Sequence, residues 1–94
     1  MADSKENLNI GSKISEFDKR IEEMHLDFYK YYQGAEQKVP EWERFERELI
    51  DFSRRKIFDV ALSKNLERVL YKFQNRKKIW LKWLEESHHA SKKE

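Results

Sequence analysis

The chain reads as an all-α protein, an antiparallel helical hairpin or a three-helix bundle with coiled-coil-like packing. Three observations carry that expectation. Apolar residues recur in heptad steps along two long stretches. Charged residues make up 40% of the chain and aromatic residues 14%. That mixture suits long helices with solvated outer faces, because the aromatics supply the apolar area a disordered segment lacks. Finally, only Gly11, Gly34 and Pro40 punctuate the 94 residues. A chain of this length is one domain with a modest core.

The first helix follows from Ile10, Ile14, Phe17, Ile21, Met24, Phe28 and Tyr31, an unbroken 4-3 alternation. Ser12 or Ser15 can cap its start. Residues 1–9 are polar and are expected to be a disordered N-terminal segment. Gly34 stands just past the seam, where a left-handed residue closes a helix.

Pro40 suits the first position of a second helix, where a missing N–H costs nothing. Glu41 and Glu43 then favour the positive end of its dipole. Trp42, Phe45, Leu49 and Phe52 continue the seam. At Lys56 and Asp59 the pattern stumbles, and it recovers as Leu62, Leu66, Val69, Phe73, Arg76, Trp80 and Trp83. Two arrangements fit. One is a single bent helix over 41–86. The other is a break near Ser63, giving three helices of similar length, and it is preferred because it covers both seams. The bundle spans residues 10–86, and the polar tail 87–94 is expected to be disordered.

Charge is sorted along the chain. Residues 1–52 hold thirteen Asp/Glu against eight Lys/Arg, whereas residues 53–83 hold ten Lys/Arg against Asp59 and Glu67. The two halves must neutralise each other or meet partners of opposite sign.

Catalytic signatures are missing. With no cysteine, there is no disulfide, thiolate nucleophile or thiolate metal site. His25 stands alone beside the first seam, and the adjacent His88 and His89 face different directions on a helix, a poor metal pair. The acids Glu16, Asp18, Glu22, Glu23 and Asp27 read as a solvated face. No phosphate-cradling Gly loop or Ser/His/Asp arrangement is visible. The expectation is a protein that is not an enzyme, with no cofactor, no metal and no small-molecule substrate. Met1–Asn7 lacks the apolar stretch of a signal peptide, and no apolar run reaches membrane-spanning length, so a cytoplasmic location is expected.

Two features point to binding. Ile79, Trp80, Leu81, Trp83 and Leu84 spread apolar surface over more than half of a helix circumference, more than one neighbour covers. Trp is also enriched in binding hot spots. This end is therefore the expected contact for another protein or a second copy of the chain, or else the centre of the monomer core. The second feature is basic. Lys64, Arg68, Lys72 and Arg76 step by four, with Lys77, Lys78 and Lys82 widening the stripe. It suits nucleic-acid phosphates, with Tyr71 and Asn75 near enough to touch bases or sugars, or it docks on the acidic first helix. A membrane-surface helix is the third reading.

The run Tyr29, Tyr31, Tyr32, Gly34, Pro40, Arg44, then Leu66, Arg68, Phe73, Trp80 and Leu84-Glu85-Glu86, resembles a family of small helical bacterial proteins without assigned function. The resemblance covers residues 28–86 and implies a helical hairpin or bundle. The functional expectation is a non-catalytic protein–protein interaction module, such as an adaptor, assembly factor or small chaperone-like subunit. It would bind through the basic, Trp-rich helix. The alternative is a nucleic-acid-binding protein using the stripe of residues 64–82.

Overall fold

A computed structural model describes the backbone of residues 2–92 and the side chains of residues 7–87. It contains α1 (Ala2–Tyr32), α2 (Trp42–Ser53) and α3 (Val60–Lys92). The fold is all-α, a three-helix bundle measuring 62 × 18 × 17 Å. Leu62 lies against Gly11, Lys72 pairs with Asp18, Trp80 bonds His25 and Tyr32 bonds Glu86. Contact positions rise together, so α1 and α3 run parallel. Along α2 they fall: Trp42 sits under Lys77, Phe45 meets Phe73, Glu48 meets Arg20 and Phe52 meets Phe17. The short α2 is thus antiparallel to both long helices.

The heptad seams are the core. Ile10, Ile14, Phe17, Ile21 and Phe28 of α1 are buried with Leu66, Val69, Phe73 and Trp80 of α3. Phe45, Leu49 and Phe52 of α2 close the third side. Tertiary burial of one apolar stripe, rather than intrinsic propensity, is what holds helices of this composition in water.

Gly34 ends α1 as expected. At φ +84° it takes the left-handed conformation that a Cβ disfavours. Its N–H donates to the Tyr31 carbonyl at 3.1 Å, and the Ala35 N–H donates to the Lys30 carbonyl at 2.9 Å. These two bonds make a Schellman closure.

The helix boundaries differ from the expected ones in four places. First, α1 starts at Ala2, so residues 2–9 are helical backbone instead of a disordered lead, and Ser12 and Ser15 are interior and exposed, not caps. Second, Pro40 precedes α2 instead of opening it. Glu41 has φ −79° and ψ 65°, and the Trp42 N–H donates to the Pro40 carbonyl at 2.8 Å. That is an inverse γ-turn, which swings the chain into the helix.

Third, the break between the second and third helices falls at residues 54–59, not near Ser63. Asp59 is the cap of α3: its Oδ1 accepts from the Leu62 N–H at 3.0 Å. Ser63 is one turn inside. The positions where the seam stumbled, Lys56 and Asp59, are the connection itself. The three helices are accordingly unequal, at 31, 12 and 33 residues. Fourth, α3 runs on to Lys92, so most of the expected disordered tail is helical backbone.

Candidate interaction surfaces

Trp80 is fully buried, which places it in the core and not on a contact surface. Its ring stacks on Phe28 at 4.8 Å and meets the edge of Phe73 at 5.9 Å. Its indole N–H donates to His25 Nδ1 at 3.0 Å. Trp83 is half-buried and stacks on Tyr32 at 5.2 Å, with His25 at 5.3 Å on another side. Leu84 is partly buried against the same cluster. Ile79 and Leu81 are exposed, but they lie about 200° of helical rotation apart and form no common patch. The expected partner-binding end is therefore mainly where the two long helices close on each other.

The basic stripe divides. Lys72 Nζ lies 3.0 Å from Asp18 Oδ1 and 3.1 Å from Glu22 Oε1, and Arg76 lies 2.9 Å from the same Glu22 oxygen. Lys77 pairs with Glu46 at 2.6 Å and stands over the Trp42 ring at 5.3 Å. On the other flank, Arg20 donates to Glu48 at 2.9 Å and packs over Phe45. Acidic and basic halves thus neutralise each other along the helix contacts. The hydrogen bond from Lys72, helped by the charge of Arg76, outweighs burial and holds the Glu22 carboxyl below its ordinary range. The bond from Arg20 does the same for Glu48. Burial works against charge on Lys72, yet its bonds to Asp18 and Glu22 win and raise its pKa.

Steps of four residues explain the division. Each advances about 40° beyond a full turn, so Lys64 to Arg76 winds about 120° from the outer face into the seam. The residues that stay on one side are spaced 4-3-4-3-4: Lys64, Arg68, Tyr71, Asn75, Lys78 and Lys82. All six are exposed. Among the described residues none of these four cations has an ion-pair partner.

Sequence reasoning missed one further feature. In the connection 54–59, Ile57 packs on the core while Phe58 is 90% exposed and Val60 67% exposed. Arg54, Arg55 and Lys56 precede them and are exposed too. The signal was the stumble of the seam at Lys56 and Asp59, but a continuous helix over 41–86 and a break near Ser63 both leave these residues inside a helix.

His25 has a chemical consequence. Burial, reinforced by the Arg76 charge and only partly opposed by Glu22, keeps its pKa below the ordinary 6.5. The neutral ring is therefore the folded form, and its Nδ1 must stay unprotonated to accept from Trp80. A depressed histidine pKa gives stability that is full above the unfolded value and lost as pH falls through it. The lowered Glu22 and Glu48 add a second loss below their ordinary 4.5. Stability measured by urea unfolding should be flat from about pH 7 to about 10, above which the raised Lys72 begins to lose its contribution, and should fall below about 6.5 and again below about 4.5. In His25→Gln, whose amide oxygen can accept the indole bond, the upper step should vanish and the lower should remain.

Among the described residues no group of His, Asp or Glu is arranged to hold a metal ion, and no helix is long and apolar enough to cross a membrane. The side chains of His88 and His89 lie outside the described residues. No protein family, no curated protein and no solved structure matches this chain.

Proposed function

We propose that the protein is a non-catalytic interaction module that docks on another protein through the tip formed by residues 54–60. The exposure of Phe58 carries this reading. A connection between helices needs polar or turn-forming residues, and a nearly bare phenyl ring there contributes nothing to the fold. Burying it against a partner removes most of a phenylalanine side chain from water, on the order of 2–3 kcal/mol. Arg54, Arg55 and Lys56 beside it select a pocket with an acidic rim and suppress other partners.

One phenylalanine and one valine fall short of what stable lipid anchoring requires, so a protein pocket fits the tip better than a bilayer. Self-association is the less favoured arrangement, because both heptad seams already close within one chain.

A photo-crosslinking side chain at position 60, introduced in the host cell, tests the proposal. We expect a discrete protein adduct that is lost when Phe58→Ser is added and is not formed from position 26, an exposed site on α1. Phe58→Ser should leave folding stability within about 0.5 kcal/mol. Equal crosslinking from positions 60 and 26, or an adduct indifferent to Phe58→Ser, defeats it. An adduct of twice the 11.6 kDa chain mass would identify a second copy as the partner instead.

A further inference from the structure

The outer face of α3 presents a different surface from the tip, and its chemistry points elsewhere. We infer that Lys64, Arg68, Lys78 and Lys82, with Tyr71 between them, form a track for single-stranded nucleic acid. The inference does not rest on the Phe58 reading.

Position comes first. The 4-3-4-3-4 spacing keeps these side chains on one side of a straight helix. From Lys64 to Lys82 the track runs about 27 Å. Arg68 borders α1, lining a shallow groove with Ser15 and Asp18, while the other track residues turn further from the inner flanks, where Asp18, Glu22 and Glu46 are engaged with Lys72, Arg76 and Lys77. The cations that the fold uses and those it leaves over are thus separated by helical rotation. Four cations with no ion pair among the described residues, two on either side of Tyr71 and Asn75, with Glu67 the one acid between positions 60 and 82, suit a chain of phosphates.

Tyr71 selects among polyanions. It is 71% exposed, at the middle of the track, and makes no ring contact with the core. Phosphate alone gains little from a phenol ring. A single strand offers phosphates together with an unpaired base whose face can stack on Tyr71. A duplex keeps its base faces closed, and an acidic peptide has none. Asn75, one turn on, can hydrogen-bond a base edge or sugar.

Fluorescence anisotropy with a 20-nucleotide oligouridylate, a 20-base-pair duplex and polyglutamate tests this on the full chain. Neutralising four phosphates of a single strand predicts roughly a 50-fold loss of affinity between about 50 and 200 mM salt. Tyr71→Ala should weaken oligouridylate binding about 5- to 150-fold, the worth of one stacked base, while Tyr71→Phe retains it. Reversing the track (Lys64→Glu, Arg68→Glu, Lys78→Glu, Lys82→Glu) should abolish binding. A control that changes net charge equally through Lys19, Lys30, Lys38 and Arg47, all exposed and without described ion pairs, should bind at least ten times more tightly than the reversed track. Circular dichroism checks that both variants fold. Three results overturn the inference: no binding at low salt, duplex or polyglutamate bound as tightly as the single strand, or equal loss in the track and control variants. Should a variant unfold, Tyr71→Ala decides alone. Phe58→Ser leaves this binding unchanged.

Discussion

Trp80→Ala is expected to be among the most damaging core truncations in the chain, costing about 3–5 kcal/mol of folding stability. The indole is fully buried, so truncation opens a cavity between α1 and α3 that neighbouring rings cannot fill without losing their own contacts. Phe28 loses its stacking partner and Phe73 an edge contact. His25 Nδ1 loses its donor. Small domains have only about 5–15 kcal/mol in total, so the variant should be near its folding threshold at ordinary temperature. Trp80→Phe separates the terms. It keeps most of the packing and removes the N–H, and its cost should be nearer the about 1 kcal/mol of one hydrogen bond plus a partly filled cavity. Urea unfolding followed by far-ultraviolet circular dichroism measures both. A Trp80→Ala protein as stable as the parent would mean that this end of the bundle does not close as described.

Phe45→Ala should cost a similar amount, about 3–5 kcal/mol, but through another route. At 12 residues α2 is too short to persist alone in water. It is held by three buried side chains, Phe45, Leu49 and Phe52, and by ion pairs from Glu46 and Glu48. Phe45 is the central one, in contact with Phe17 at 5.7 Å and Phe73 at 5.6 Å and covered by Arg20. Its loss should free α2 locally before the α1–α3 pair separates. Native-state hydrogen exchange is the discriminating measurement. Protection over residues 42–53 should collapse while protection along the α1–α3 seams persists. Uniform loss across all three helices would show that α2 is not a separately opening unit.

Much of the architecture was legible because burial imposes a period. Ile10 to Phe28 and Leu66 to Trp80 kept heptad spacing, and both runs became core. Gly34 was readable for a local reason, as a left-handed closure that strongly favours glycine. The break at residues 54–59 was harder. It contains neither glycine nor proline, and its cap is Asp59, a residue that a long helix tolerates equally well on an exposed face. Only the seam's failure at Lys56 and Asp59 marked it. The same ambiguity affected Pro40, since either a helix start or a turn before one accommodates its ring.

The candidate surfaces divide along the same line. The sequence by itself determined that this is a helical protein with two apolar seams and a sorted charge, because periodicity and composition depend only on residue order. Which tryptophan is hidden and which cations are left over were decided by tertiary structure. Trp80 could have faced a partner or a neighbouring helix with identical local sequence, and the parallel approach of α1 settled that it stacks on Phe28. Lys72 and Arg76 were indistinguishable from Lys64 and Arg68 until the pitch of the helix turned one pair toward Glu22 and the other toward water. Burial and ion pairing are relations between segments, and they exist only once the segments have met.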